Sequence, residues 1–459
     1  MGGLTAALVL RKIGCDVDVF ERSSALLESR GAGIISHRVT LRYPTEFGSY
    51  HLDDLSIRPK SCRYIDNQGK VISEQPCCFR VNSYGALYRA LLHCFGPERY
   101  HLGKSVTGFR ESGEVVTVSF SDGTNRAADL LVCADGINST ARKLMAPTAS
   151  PEYAGYIAWR GTVGPESTAE ETFEMLRESI TYFVMPAGHF LSYPILARDR
   201  STGSQKRLIN WLWYRNVSKG QELDDLLTDR VGALHDTSLA YNALQEKHIQ
   251  KLRINAKDFV PPAFTELVLR AEPFIQAIFD GAIPSMAFGR VCIMGDAAFA
   301  ARPHCAAGTA KAAEDAWQLG AALTEAGNDV VTALRNWQER QLECGRRLVA
   351  RAREVGNRLQ FKNTWPVGES LPFGLYESGD SAFLSLYQHD GIGARKIART
   401  SGFPLGTVGA AELSKLQEIT KEVVGIHVLL TRLLFGDGIL RSLLRRVSLA
   451  KPTSALLRF

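Results

Sequence analysis

The sequence predicts an α/β fold in which a parallel sheet is interrupted by a separate antiparallel sheet. The apolar run 291–294 has the length and composition of a strand buried on both faces. Gly295-Asp296 and a short loop follow this strand, and the Ala-rich segment 309–323 then has high helix propensity. Between residues 153 and 286, longer segments alternate apolar and polar residues, which is typical of an antiparallel sheet with one face on a core.

A ligand site is predicted where the strand 291–294 ends, because parallel α/β sheets bind ligands at their carboxyl edge. The Asp296 carboxylate suits a ribose or ribityl hydroxyl, since it accepts hydrogen bonds without needing a donor partner. The start of the next helix, with free N–H groups and the positive end of the helix dipole, suits a phosphate or an electron-rich ring edge. An ordinary strand-to-helix turn capped by Asp296 is the alternative for these residues alone.

The N-terminal segment contains the second half of a dinucleotide-binding pattern. Gly2 and Gly3 open a helical segment that ends at Gly14, and an alternating strand over 16–22 carries Glu21 near its end. In the G-x-G-x-x-G fingerprint, glycines open this helix, and an acid about 20 residues further on binds the ribose. The sequence lacks the strand and the first glycine that normally precede the helix.

Composition and charge exclude several classes of function. The 459 residues, 45% of them hydrophobic and 22% charged, describe an ordinary globular protein of more than one domain. A net charge of +6 with scattered Lys and Arg does not indicate nucleic-acid binding. The nine cysteines lack C-x-x-C spacing, which predicts reduced thiols. No secretory signal and no long apolar run is visible, so we expect a cytoplasmic protein without a transmembrane segment.

The segment 290–319 resembles the second flavin motif of the FAD-dependent aromatic hydroxylases, the p-hydroxybenzoate hydroxylase-like monooxygenases. The resemblance rests on GDAA at 295–298, Pro303, Gly308 and the sequence Glu-Asp-Ala at 314–316. The segment 129–142, with Asp135-Gly136, is similar to the family's Asp-Gly motif, which stabilises the flavin pocket and helps receive NAD(P)H. Phe299 and His304 are most similar to the 2,6-dihydroxypyridine hydroxylase-like branch of the family.

The resemblance implies a more detailed α/β (α+β) fold. A Rossmann-like FAD-binding domain of the glutathione-reductase type, lacking its N-terminal strand, would contain an inserted antiparallel-sheet substrate domain. Residues 1–150 and 287–350 would form the two parts of the FAD-binding domain, 151–286 the substrate-binding sheet, and 351–459 a C-terminal helical region of unknown role. The residues expected to bind FAD are Gly2, Gly3, Glu21, Arg22, Gly33, Ile34, Asp135, Gly136, Gly295, Asp296, Ala307 and Gly308.

The resemblance also implies the reaction. NAD(P)H reduces FAD, dioxygen forms a C4a-hydroperoxyflavin, and its distal oxygen attacks a phenolic or hydroxypyridine-type ring. Because loss of a hydroxyl proton activates the ring, a general base or hydrogen-bond acceptor is needed near the substrate. His304, which follows Pro303 in the loop expected to face the flavin ring, is the candidate, although a structural role for it stays open. Arg160 and His189 are weaker candidates for holding an anionic substrate.

The incomplete N-terminal pattern leaves alternatives open. A translation start placed too far downstream is favoured over a truncated paralogue, and in either case we expect this chain to bind FAD weakly. A truncated non-catalytic flavoprotein, an interaction protein and a reductase or oxidase on the same fold are the competing functions. The amphipathic, basic segment 413–447 is interpreted as a helical cap on the core, with a homodimer helix or a membrane-surface helix as alternatives.

Aromatic side chains are concentrated in the predicted antiparallel sheet. As a group they suit a planar aromatic substrate, whereas sheet packing is favoured for any single ring. Helices are predicted over 244–251, 274–279 and 330–356. The aromatic residues concerned are Trp159, Phe183, Tyr193, Trp211, Trp213 and Tyr214.

Overall fold

In the computed structural model, the described residues are 1–27, 33–77, 79–198, 204–327, 329–369 and 371–376. The segment 413–447, most of the C-terminal region 351–459 and the residues 28–32 that precede Gly33 lie outside them. Among the described helices, none is long and apolar enough to cross a membrane. These helices are α1 (Gly2–Lys12), α2 (Arg38–Arg42), α3 (Leu52–Leu55), α4 (Tyr84–Phe95), α5 (Thr140–Met145), α6 (Glu170–Leu176), α7 (Gln221–Leu227), α8 (Glu246–Phe259), α9 (Pro262–Arg270), α10 (Gly308–Glu325) and α11 (Val330–Asn357).

The strands form one two-stranded parallel sheet, one three-stranded mixed sheet, one large mixed sheet and smaller antiparallel ribbons. A single turn of 3₁₀ helix at Gly295–Ala297 connects strands of two different sheets, and another at Pro303–Cys305 leads into the helix that starts at Gly308. The strands are β1 (Val19–Glu21), β2 (Gly33–Ser36), β3 (Ser61–Ile65), β4 (Val71–Pro76), β5 (Arg80–Ser83), β6 (Tyr100–Leu102), β7 (Val106–Ser112), β8 (Val115–Phe120), β9 (Asn125–Ala128), β10 (Leu131–Cys133), β11 (Glu152–Val163), β12 (Ser179–Met185), β13 (Gly188–Arg198), β14 (Gln205–Asn216), β15 (Ser238–Leu239), β16 (Phe274–Ala282), β17 (Ala287–Phe288), β18 (Val291–Ile293) and β19 (Phe299–Ala300).

The parallel part of the fold consists of two separate strand pairs. β1 pairs with β6, and β10 pairs with β18. Within the described residues, no backbone ladder joins one pair to the other. β18 is buried along its whole length, as the apolar run 291–294 predicts. The predicted parallel strands are therefore present, and the lost N-terminal strand stays a prediction.

Helices cover the parallel pairs. α1 buries seven consecutive residues, 4–10, and packs against α10, which buries its alanine-rich stripe in the same core. α1 ends before Gly14, whose positive φ of 94° only a glycine adopts readily. α11 runs over Val330–Asn357, close to the predicted 330–356, and Asp329 caps its start by accepting the Thr332 N–H.

The large sheet has the strand order β15-β16-β11-β14-β13-β12-β3-β4, and β19 pairs with β16. Its central pairs are antiparallel, as predicted, but β12 pairs with β3 in parallel. The hairpin β3–β4 therefore extends a sheet whose other strands come from far along the chain. A hairpin has a local sequence signal, whereas this distant parallel pairing has none.

One predicted helix is wrong. Residues 274–279 form the first part of β16, which pairs with β11 over six residue pairs. Short apolar runs are ambiguous between helix and strand, and the pairing partner decides which forms. The neighbouring helix α9, which the sequence analysis missed, packs on β11 instead.

The two faces of the large sheet are different. One face carries Trp159, Phe183, Trp211 and Trp213 into a core with Phe264 of α9. The opposite face carries Tyr156, Tyr193 and Tyr214 into a second core, which also contains residues of β2 and α11. The grouping of six rings for an aromatic substrate is therefore wrong for four of them, because strand alternation turns these four toward the helices.

Candidate active site

Parallel pairing brings the two acidic turns together. Cys133 of β10 pairs with Ile293 of β18, so Asp135 and Gly295 leave the sheet at the same level. Gly136 and Gly295 have positive φ values of 76° and 62°, which allow both tight turns. Arg142 joins them, because its guanidinium donates to the carbonyl of Ala297 at 2.9 Å and also to Ile137. The two acidic turns therefore form one edge of the fold.

Asp315 supports the second turn from beneath. Its Oδ2 accepts the Gly295 N–H at 3.0 Å, and its other oxygen pairs with Lys311 one turn earlier on α10. Both side chains are almost fully buried. Burial raises the pKa of Asp315, while the Lys311 charge and hydrogen bonds oppose this rise. The buried pair thus fixes where Asp296 leaves β18.

A cavity of about 1400 Å³ lies at this edge, larger than the roughly 300–1,000 Å³ typical for drug-sized ligands. It reaches from β1 across α1 to β10 and α10. Arg142 does not line it, and the acidic turns contribute through their own residues. The predicted cofactor residues that line it are Gly2, Gly3, Glu21, Arg22, Asp135, Gly136, Gly295, Asp296 and Gly308.

The chemistry of this cavity fits a dinucleotide. The Asp296 side chain faces the cavity, where its carboxylate can accept hydrogen bonds. Loss of solvent around it raises its pKa, and the positive charge of the amino terminus partly opposes this rise. The first turn of α10 has no side-chain cap, so its N–H groups remain donors at the cavity wall. Glu21 accepts the Ser23 N–H at 2.8 Å at the far end. The donor and acceptor set suits the ribityl, pyrophosphate and ribose groups of FAD.

Three predicted cofactor residues lie outside this cavity. Ala307 is buried in the core beneath α10, and Ile34 packs among side chains of α1 and α4. Gly33 is held against the large sheet, where its N–H donates to Asn210 Oδ1 at 2.8 Å and its carbonyl accepts Arg160 Nη2 at 2.8 Å. The guanidinium of Arg160 therefore holds β2 against the large sheet, whereas the sequence analysis considered it for holding an anionic substrate.

His304 lies in a buried polar cluster on the tyrosine face of the large sheet. Its Nε2 is 2.7 Å from the hydroxyl of Tyr156. Its ring centroid is 5.3 Å from both His189 and Tyr214, and His189 stacks on Tyr214 at 4.6 Å. Gln360 donates to Nδ1 of His189 at 2.8 Å. Pro303, in the same 3₁₀ turn, is only half-buried.

The histidines of this region are neutral. Burial lowers the pKa of His189 to about 3. Burial, His189 and the Arg302 charge lower the pKa of His304 well below its ordinary value. A neutral imidazole donates or accepts a hydrogen bond but carries no charge, so His189 does not hold an anion as a cation. Burial raises the pKa of Tyr156 well above its ordinary value, so its hydroxyl stays protonated.

Sequence reasoning missed Tyr156 and Asn210, and it gave no role to Arg142 and Asp315. The strand alternation places Tyr156 and Asn210 on the same face as Tyr214, so a two-face assignment of the strands would have found them. Arg142 contacts Ala297, 155 positions away in the chain, and Asp315 contacts Gly295, 20 positions away. No local sequence pattern predicts contacts of this kind.

Comparisons with known proteins agree with this geometry. A family model described as "FAD binding domain-like" matches residues 153–280. The 2,6-dihydroxypyridine 3-monooxygenase of Paenarthrobacter nicotinovorans is 36% identical over 378 residues, covering 82% of this chain and 94% of that protein. The solved structure of 2,6-dihydroxypyridine-3-hydroxylase from Arthrobacter nicotinovorans, also 36% identical, has a TM-score of 0.74 and covers 83% of this chain and 93% of that chain.

A more distant relative agrees with these two. The FAD-dependent urate hydroxylase of Klebsiella pneumoniae is 26% identical over 396 residues, covering 80% of this chain and 91% of that protein. The identity and coverage of the dihydroxypyridine enzyme are high enough to establish the family. This chain belongs to the FAD-dependent aromatic monooxygenases, which hydroxylate ring substrates with FAD and NAD(P)H.

Proposed function

We propose that this enzyme hydroxylates a hydroxypyridine-type ring. The observation that carries the proposal is the buried cluster of Tyr156, His304, His189 and Tyr214 on one face of the large sheet. A ring nitrogen and ring hydroxyls need hydrogen-bond partners at the ring edge, which neutral imidazole and tyrosine groups provide. The dihydroxypyridine relative supports the same substrate class.

The residues at the two acidic turns would hold FAD. Asp296 would accept hydrogen bonds from the ribityl chain, the start of α10 would face negative charge, and Glu21 would accept from the adenosine ribose. When bound, FAD supplies the redox chemistry, namely uptake of hydride from NAD(P)H and activation of dioxygen. Asp135 and Gly136 shape the opposite wall through their shared edge with Gly295.

His304 is proposed as the hydrogen-bond partner of a substrate hydroxyl. A base with a lowered pKa takes up a proton poorly, so the imidazole of His304 accepts hydrogen bonds without becoming charged. A substrate anion next to the ring would raise the pKa of His304 and so favour proton transfer to it. Tyr156 holds the imidazole through its 2.7 Å contact, and Pro303 fixes the turn that carries it.

Substrate-dependent consumption of NAD(P)H tests this function. With added FAD, 2,6-dihydroxypyridine should stimulate oxidation of NADH or NADPH and gain one oxygen-18 atom from labelled dioxygen. Phenol and 4-hydroxybenzoate, which lack the ring nitrogen, should stimulate it less. Oxygen incorporation into 4-hydroxybenzoate but not into dihydroxypyridine would contradict the proposed substrate class. Reduction without oxygen incorporation would instead favour a reductase or oxidase.

We also propose the domain division, oligomeric state and location that the sequence analysis predicts. The acidic turns at 135 and 296 lie in the chain on either side of β11 to β16, the main part of the large sheet, which supports boundaries near 150 and 286. The boundary near 350 is proposed from the sequence, and α11 continues through it. The eight cysteines in the described residues are all free thiols, which supports a cytoplasmic location. Sedimentation equilibrium of the purified chain tests whether it forms the homodimer.

A further inference from the structure

A buried cluster of charged side chains lies directly behind His304. Asp280 of β16, only 3% exposed, pairs with the guanidinium of Arg302, which is 8% exposed. Arg302 Nη1 also donates to Asn357 Oδ1 at 2.8 Å, at the end of α11. Arg353 of α11 donates to the other oxygen of Asp280 from its Nε at 3.1 Å. The Asp280 carboxylate thus joins the large sheet, the 302–305 turn and α11.

The Asp280 side chain stays an ionised carboxylate within this cluster. Burial alone would raise its pKa, but hydrogen bonds and charges from Arg353 and Arg302 outweigh burial and hold the pKa below its usual value. A buried carboxylate between two guanidiniums keeps a defined geometry, because every oxygen is already bonded. The cluster is therefore a rigid anchor at neutral pH.

The Asp280–Arg302 pair lies close to His304 in the chain and in space. Arg302 is separated from His304 only by Pro303, and its guanidinium lies over the Tyr156 ring, 5.7 Å from the centroid. On the other side, Gly356 of α11 leaves no room: a Cβ there would lie 2.8 Å from His304 Cδ2 and 3.0 Å from Arg302 Cδ. His304 is thus enclosed by Tyr156, Arg302 and the backbone of α11.

We propose that Asp280 is a positioning residue for the hydroxylation: through Arg302 it holds the 302–305 turn so that His304 stays hydrogen-bonded to Tyr156. The proposal rests on the proposed function of His304 as the substrate's hydrogen-bond partner. Asp280 itself has both oxygens bonded to arginines, so it acts on the site only through Arg302. A displacement of about 1 Å at a reacting group can lower the rate about 100-fold, which makes such an anchor matter for catalysis.

Two variants with a matched control test the proposal. Asp280→Asn keeps the size but removes the charge, and Arg302→Lys keeps the charge but cannot bond Asp280 and Asn357 together. Both should lower kcat/KM for the hydroxypyridine about 10- to 100-fold and divert NAD(P)H oxidation to hydrogen peroxide, with FAD affinity unchanged. The control, Glu343→Gln, removes the charge of an exposed carboxylate on the same helix, α11, and should stay within about twofold of the wild type.

A readout without turnover separates this proposal from the proposed function. In histidine-labelled protein, the ¹⁵N signals of His304 report its hydrogen bond, and Tyr156→Phe provides the spectrum of the broken contact. Asp280→Asn and Arg302→Lys should both shift His304 toward that spectrum. The proposal is overturned if either folded variant keeps the wild-type His304 signals and still couples all of its NAD(P)H oxidation to hydroxylation of the substrate. An inactive wild type whose His304 signals still respond would refute the hydroxypyridine function and leave the positioning role standing.

Discussion

Single residues at the cavity edge are proposed to hold the cofactor. Asp296 is the one predicted acidic residue that follows a fully buried strand and also faces the first turn of an uncapped helix. Its position depends on Asp315 beneath it, which bonds the Gly295 N–H. The side chain therefore reaches the cavity from a fixed backbone, and its loss should weaken binding without rearranging the turn.

We expect Asp296→Ala to weaken FAD binding about 10- to 100-fold, because a hydrogen bond to a charged group contributes about 1.5–3 kcal/mol. Titration of the apoprotein with FAD, followed by quenching of flavin fluorescence, gives the dissociation constant. The control is Asp236→Asn, an exposed carboxylate remote from the cavity. Equal affinities for the wild type and Asp296→Ala would remove Asp296 from the cofactor site.

Gly33 is a residue where close packing demands glycine. A Cβ at this position would lie 2.4 Å from Tyr193 Cε2 and 2.7 Å from Asn210 Cγ. We therefore expect Gly33→Ala to destabilise the protein by about 1–3 kcal/mol, as overpacking does. Thermal unfolding measures this, with Gly108→Ala as the control, because nothing lies within 4 Å of its Cβ. A Gly33→Ala protein as stable as the control would show that β2 can move away from the sheet.

At the scale of elements, α10 combines a ligand-facing start with an ionic core. Lys311 and Asp315, one turn apart, are buried between α10 and α11, and Trp337 Nε1 donates to the Asp315 carbonyl at 3.0 Å. A buried ion pair contributes little net stability but leaves an unpaired charge when one partner is removed. The helix therefore depends on both members together.

Lys311→Met should destabilise the protein by about 3–5 kcal/mol, because it leaves the Asp315 carboxylate buried and unpaired. The double variant Lys311→Met with Asp315→Asn should recover part of this loss, since the amide oxygen still accepts the Gly295 N–H without a charge. Urea unfolding midpoints of the three proteins measure the effect. If the double variant is no more stable than the single one, the unpaired charge is not the cause.

At the scale of the whole molecule, buried imidazoles make stability depend on pH. Burial lowers the pKa of His37 to about 4 and that of His189 to about 3, and His304 is lowered as well. The unfolded chain binds these protons below a pH of about 6.5, while the folded protein does not. Asp296 and Asp315, whose pKa values are raised, act in the opposite direction nearer pH 4.

We expect stability to be constant between about pH 7 and 8 and to fall between about pH 6.5 and 5. Each of the three histidines contributes at most about 1.4 kcal/mol per pH unit, or about 4 kcal/mol together. Melting temperatures across this range test the expectation, and His189→Gln should flatten the slope by about a third. A slope that is the same in His189→Gln would assign the pH dependence to other groups.

Local sequence patterns predict the buried strands, the acidic turns and the helices that follow them, because these features depend on residues close together in the chain. Gly295-Asp296, Asp135-Gly136 and the helix after Gly308 could be predicted from buried runs, turn residues and helix propensity. The resemblance of these segments to aromatic hydroxylases also gave the family, which the relatives confirm.

The side-chain contacts around the large sheet could not be predicted from the sequence. The partners Tyr156 and His304, Gly33 and Asn210, and Asp280 and Arg302 come from separate elements, and the folded chain alone brings each pair together. The segment 274–279 likewise became a strand because β11 was available to pair with it. Long-range contacts depend on the packing of distant surfaces, and this information is spread over the whole chain and has no local pattern.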